Sequence, residues 1–134
     1  MNNCIFCKIV KKELPASIVY EDNHVLAFLD IAPANKGHVL VVPKEHHADF
    51  LETPEPVLCY LTAKSKMLAR KAMAAVSAEG FCLAVNTKPA AGQTVFHTHF
   101  HIIPRFSNDG LKHWPAKKFT ADEMKSVQDA IKSA

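Results

Sequence analysis

Apolar positions along the chain change period several times, and the changes divide it into elements. SIVY (17–20) and VLAFLD (25–30) flank the turn-like Glu21-Asp22-Asn23-His24 and read together as a β-hairpin. HVLVVP (38–43) is a third strand, rich in β-branched residues and closed by Pro43. The period then lengthens. Leu58, Leu61, Leu68, Ala72 and Val76 recur at helical spacing, with Thr53 as the expected cap, Pro54 at the first position and Gly80 to stop the helix. Strand character returns in FCLAVN (81–86), and the loop TKPAAGQ (87–93) leads into a second alternating run, VFHTHFHII (95–103). Short helices are expected at both ends. Residues 4–13 form one, ended at Leu14-Pro15 because the residue before proline avoids helical angles. The other opens on the capping box Thr120-Ala121-Asp122-Glu123 and carries Met124, Val127 and Ile131 on one face. The pattern predicts an α+β fold: a mainly antiparallel meander covered on one face by one long helix.

The run 95–103 carries chemistry as well as period. Strand side chains alternate faces, so Val95, His97, His99, His101 and Ile103 share one, and Thr94, Phe96, Thr98, Phe100 and Ile102 the other. The second set is the expected core face, which leaves three imidazoles on an open one. A tris-histidine metal site suits this spacing poorly. At a rise of ~3.3 Å per residue, His97 and His101 start ~13 Å apart, whereas a metal draws its ligand nitrogens to about 2.0–2.1 Å. A row of rings along an extended phosphate fits better, since each can donate, relay a proton or attack. The central position nominates His99 as nucleophile, with His97 and His101 as supports. Just before it, Ala90-Ala91-Gly92-Gln93-Thr94 offers backbone N–H groups and a hydroxyl to an anion.

Composition narrows the partners. A chain of 134 residues, 49% hydrophobic, suffices for one domain over 1–134 with a core that needs no disulfides. The net charge of +3 is spread over scattered lysines, which argues against a nucleic-acid partner. No stretch approaches the ~20 apolar residues of a membrane helix. The N-terminus lacks the pattern of a signal peptide, so a cytoplasmic location and reduced cysteines are expected. Cys4-x-x-Cys7 has the spacing of half a zinc site. Cys59 and Cys82 are expected in the core, and His24, His47 and His113 at the solvated surface.

HTHFHII (97–103) matches the His-x-His-x-His-x-x signature, and through it the chain resembles the histidine triad (HIT) family. CIFCKIVKKELPASIVYEDNHVLAFLDIAPANKGHVLVVPKEHH is similar to the N-terminal half of the family's Hint branch, and FCLAVNTKPAAGQTVFHTHFHIIPRF to its C-terminal half. The likeness covers residues 4–106 and leaves 107–134 as a divergent tail with a short helix. HWP (113–115) is similar to a tryptophan-bearing tail in some members, so Trp114 either packs on its own subunit or reaches toward a partner's site.

The resemblance implies a HIT-like fold, sheets joined in a homodimer, a purine nucleotide in each cleft, and hydrolysis of nucleoside phosphoramidates such as adenylate joined to an amine. It implies that His99 attacks the α-phosphorus to give a nucleotidyl-histidine that water resolves, that His101 contacts the phosphate and that His97 orients the nucleophile. His38 matches a fourth histidine beside the triad. Asp30 matches the carboxylate that grips the ribose, Phe28, Ile31 and Leu40 the base pocket, and Asn86, Gln93, Thr94 and Val95 the segment around the phosphate. Thr94 stands where many Hint members carry Ser, which leaves the leaving-group preference open. His101 stands where the transferase branch carries Gln, which favours hydrolysis. Several bacterial-type members complete a cysteine pair with the histidine of PKxH and the first triad histidine. The implied set here is Cys4, Cys7, His46 and His97 around a structural zinc, with His97 then steadying His99 by position alone. Two other readings share the motif: a dinucleoside polyphosphate hydrolase, and a nucleotide-binding regulator or scaffold.

Overall fold

The computed structural model describes residues 3–134. Helix α1 (Ile5–Val10) leads into strands β1 (Ile18–Glu21), β2 (Val25–Leu29) and β3 (Val39–Pro43). Helix α2 (Glu55–Val76) then crosses to β4 (Gly80–Ala84), a 3₁₀ turn (Pro89–Ala91), β5 (Phe100–Arg105) and α3 (Ala121–Ser133). All pairings are antiparallel, in the order β1-β2-β3-β5-β4. The expected meander therefore extends through three strands only. The crossing by α2 sends β4 to the outer edge, and β5 fills the inner place beside β3. Their burial fits this exchange: β5 alternates buried with half-buried residues, whereas Phe81 and Leu83 of β4 remain exposed.

Two cores form, one on each face. Val25, Ala27, Val39, Val41, Phe100 and Ile102 pack under Leu61, Leu68 and Ala69 of α2. Leu26, Phe28, Leu40 and Val42 point the other way and pack against Phe6 of α1. The sheet is thus covered on both faces at one end, not on one face as the pattern predicts, and the site lies under the smaller cover.

Several boundaries move for local reasons. Lys12 takes a left-handed φ of 64°, and α1 stops at Val10 instead of running to residue 13. Thr53 does not cap α2; Pro54 occupies the cap without a side-chain bond, because the Thr53 hydroxyl is engaged with Thr98 and the Asp49 carbonyl. Ser77, left-handed at φ 56°, ends α2, so Gly80 opens β4 rather than stopping the helix. Cys59 is exposed and Cys82 half-buried rather than core.

The Thr120 and Glu123 capping box forms as expected. Residues 110–134 are exposed throughout, including Trp114 and the Met124, Val127 and Ile131 face of α3. No helix among the described residues is long and apolar enough to cross a membrane.

Candidate active site

The histidine run does not behave as one strand. The ladder begins at Phe100, where Val39, Leu40 and Val41 pair with Ile102, His101 and Phe100. Upstream, the Thr98 N–H donates to the His47 carbonyl at 2.8 Å, and the Thr98 hydroxyl lies 2.6 Å from that of Thr53. This anchor replaces strand pairing and turns residues 94–97 away from regular alternation. Phe96, expected in the core, is 51% exposed, whereas His97 and His99, expected on an open face, are 0% and 7% exposed. The rings are buried beneath α1, on the sheet face opposite α2: Phe6 meets the His99 ring edge-on at 5.1 Å.

Beside His99 lies a cleft of about 430 Å³ between α1 and the sheet. Phe28, Asp30, Ile31, Leu40, Thr94, Val95, His99 and His101 line it, all from the sequence-derived set. Ile31 stands 98% exposed at its rim, an apolar side chain that none of the described residues covers. Asn86 and Gln93 are not in the lining. Gln93 is buried and fully used by the fold: Oε1 accepts the Lys88 N–H at 2.8 Å, and Nε2 donates to the carbonyls of Ala48 and Val95. Asn86 sits behind the loop, its Nδ2 3.5 Å from where a Cβ on Gly92 would project. The opposite wall, Ile5, Phe6, Ile9, Leu14, Pro15 and Ala16, was not among the sequence-derived site residues. Its signal was the i, i+4 apolar pair Ile5 and Ile9 beside Phe6.

Hydrogen bonds fix which nitrogen of each ring carries a proton. His99 Nδ1 lies 2.7 Å from the His97 carbonyl, which only accepts, so Nδ1 holds the hydrogen and Nε2 keeps a lone pair. The Ala34 N–H donates to His38 Nδ1 at 3.0 Å, which places the His38 proton on Nε2. That proton faces His101 Nδ1 at 2.9 Å, so His101 carries its own hydrogen on Nε2. Burial favours neutral rings in all three. It lowers the pKa of His99 against the opposing pull of the His97 carbonyl, and it lowers that of His38 against Asp30. His101 falls to about 4 through burial, then through His99 and His38. One ring therefore offers a nucleophilic nitrogen and its neighbour an N–H donor.

His97 turns the other way. Its Nε2–H donates to the Pro43 carbonyl at 2.8 Å, and its Nδ1 meets Cys4 Sγ at 3.4 Å, Cys7 Sγ at 3.5 Å and His46 Nδ1 at 3.2 Å. Cys7 Sγ lies 3.2 Å from His46 Nδ1. Bonds of about 2.3 Å to sulfur and 2.0–2.1 Å to nitrogen give tetrahedral edges of about 3.3–3.8 Å, so the four atoms fit a Cys₂His₂ metal site. Burial, then Cys4, raises the Cys7 thiol pKa, a penalty that binding of the thiolate by a divalent cation removes. The ring of His97 accordingly belongs to this cluster, and what it lends the triad is its carbonyl.

Asp30, His38 and His101 also offer ligand atoms within 4.8 Å of one another. The Ala34 amide argues against a metal there, because His38 Nε2 already holds a proton and has no lone pair to give. Asp30 Oδ1 accepts the Ala32 N–H at 2.9 Å, while Oδ2 stays 3.6 Å from His38 Nε2 and borders the cleft. His47, expected in solvent, has a side chain only 13% exposed, beside Glu45.

The HIT domain family model matches residues 11–108. An adenylylsulfatase of Arabidopsis thaliana is 38% identical over 129 residues, covering 96% of this chain and 64% of its own length. A crystal structure of a Streptococcus mutans protein superposes with a TM-score of 0.93 at 41% identity, covering 99% of this chain and 85% of that one. A zinc-bound histidine triad family protein of Mycobacterium smegmatis has a TM-score of 0.80 at 35% identity, covering 98% and 97% of the two chains.

Proposed function

The chain belongs to the HIT family, and from that premise we propose that it is a purine-nucleotide hydrolase that cleaves adenylate from an amine through a nucleotide bonded to His99. One observation carries the reading: the His99 lone pair and the N–H of His101 are set side by side, at the end of a cleft that holds a single carboxylate, Asp30. In this reading the base lies among Phe28, Leu40 and Ile31, and Asp30 accepts from the ribose hydroxyls. His99 Nε2 forms a bond to the α-phosphorus as the P–N bond to the amine breaks, and the amine leaves neutral after taking one proton from solvent. In the same reading His101 Nε2–H donates to a phosphate oxygen, and the hydroxyl of Thr94, which lines the cleft, bonds the departing amine. Water then attacks the same phosphorus and returns one proton to solvent, and the P–N bond to His99 breaks to release adenylate.

A metal at Cys4, Cys7, His46 and His97, which we assign as zinc, would hold α1 against the sheet and fix the carbonyl that orients His99. It takes no part in the reaction. The free thiols of Cys4 and Cys7 suit a reducing, cytoplasmic setting.

Adenosine 5′-phosphoramidate, diadenosine polyphosphates and adenylyl sulfate separate the alternatives. The first should give a kcat/KM at least about tenfold above the second. A reversed order would make the protein a dinucleoside polyphosphate hydrolase, and tight adenylate binding without turnover would make it a nucleotide-binding regulator. Adenylyl sulfate belongs in the panel because it presents the same phosphorus with a different leaving group, and the Arabidopsis relative is named for cleaving it.

We also propose a homodimer. Among the described residues the outer edge of β4 is unpaired and exposes Phe81 and Leu83, and residues 110–134 carry exposed apolar side chains, Trp114, Met124, Val127 and Ile131. Sedimentation should give twice the 14.8 kDa of one chain, and Phe81→Asp should shift it toward one. A monomeric wild type would refute the assignment.

A further inference from the structure

Lys88 holds a backbone conformation that side chains resist. Its φ of 74° and ψ of 157° lie in a region occupied almost only by glycine, because a Cβ there crowds the flanking peptide groups. Such a conformation persists only where the surroundings enforce it. Three sets of contacts do so. Lys88 Nζ lies 2.6 Å from Asp49 Oδ2. The Lys88 N–H donates to Gln93 Oε1 at 2.8 Å, and the Lys88 carbonyl accepts from the N–H groups of Ala91 and Gln93 at 3.1 and 3.2 Å. The Asp49 side chain is 3% exposed and its Oδ1 accepts the Glu52 N–H, so the carboxylate is the fixed end and the lysine the arm that reaches it.

The segment that carries Asp49 also holds the nucleophile. The His47 carbonyl accepts the Thr98 N–H, and the Thr53 hydroxyl joins the Thr98 hydroxyl to the Asp49 carbonyl. On its other side the Ala48 carbonyl accepts from Gln93. Residues 47–53 therefore form a bracket between the segment of His99 and the loop that ends at Thr94 and Val95. Lys88 is the tie across its open rim.

We propose that Lys88 is a positioning residue for the hydrolysis: its ion pair with Asp49 keeps Thr94 and Val95 in register with His99, and the strained backbone is the cost of that tie. The proposal rests on the hydrolase reading above, and it separates geometry from stability in a way that a residue serving the fold alone would not.

Lys88→Gly removes the strain and the tie together. Its melting temperature should equal or exceed that of the wild type, while kcat on adenosine 5′-phosphoramidate falls by about fivefold or more, with most of the loss in kcat rather than KM. Lys88→Arg, which keeps the pair, should restore kcat. Asp49→Asn should lose activity to a similar extent, and the double variant should be no worse than Lys88→Gly alone, because both remove one interaction. The proposal is overturned by wild-type kcat in Lys88→Gly, or by losses that multiply in the double variant. Should the wild type hydrolyse no nucleotide, the hydrolase reading fails, and calorimetry with adenylate decides the positioning. Affinity weakened about threefold in Lys88→Gly supports it; unchanged affinity, or no binding by the wild type, ends it.

Discussion

Replacing His99 with glycine is expected to lower kcat on adenosine 5′-phosphoramidate by at least about 10³-fold, the scale seen when a covalent nucleophile is lost. Adenylate binding should survive. The reason lies in how the site divides its work. In the proposed reading the base and ribose contacts come from Phe28, Leu40 and Asp30, which line the cleft beside His99, whereas the covalent route depends wholly on the His99 Nε2. Without that nitrogen, the proposed route would require water to displace the amine directly, from a cleft whose described lining holds no other imidazole with a free nitrogen lone pair. Rapid quenching of the wild type should yield a nucleotide adduct that maps to His99 and is absent from the variant. Turnover within tenfold of the wild type, or an adduct on another residue, would dispose of the mechanism. A parallel loss of adenylate binding would instead indicate collapse of the packing between His99 and Phe6.

The second large effect concerns stability. Protein purified reduced and without chelator should contain one zinc per chain, and Cys7→Ser or exhaustive chelation should lower the melting temperature by about 10 °C or more. The cluster joins three distant parts of the chain: Cys4 and Cys7 at the start of α1, His46 after β3, and His97 ahead of β5. Few other contacts hold α1, whose buried side chain is Phe6 alone. Loss of the metal should therefore free one wall of the cleft and weaken adenylate binding along with stability. Elemental analysis and thermal unfolding read the two parts separately. Metal-free protein with an unaltered melting temperature under chelation would show that hydrogen bonds among the four residues are enough.

Much of the site was legible in the sequence because its chemistry is local. Three histidines at alternate positions suggest phosphate chemistry, and a cysteine pair supplies half a metal site, which the fold brings together with His46 and His97. What alternation could not supply was the side each ring would face. It assumes a continuous ladder, and here the ladder is broken by Thr98, whose partners, His47 and Thr53, are about 50 residues away in sequence and carry no motif. Phe96 was misplaced for that reason, and so were the burial of His97 and His99. The role of α1 as a wall was hidden by its length: six helical residues give too short a period to say which surface they cover. Gln93 shows what a motif leaves open. Its match to the segment around the phosphate did not say whether side chain or backbone would make the contact, and its side-chain amide donates to carbonyls of the fold.

The proton positions in the triad carry a consequence for how such a site can change. His99 and His101 are the same chemical group, yet toward one cleft the first turns electron density and the second turns positive charge. Both choices trace back to the backbone, the second through one intervening side chain. The peptide C=O of His97 makes the first, and the peptide N–H of Ala34, passed on through His38, makes the second. The reactivity of the site is in this sense inscribed in the main chain. Substitution of His38 would release His101 from its orientation, but reversing His99 would require moving the main-chain carbonyl that sets it.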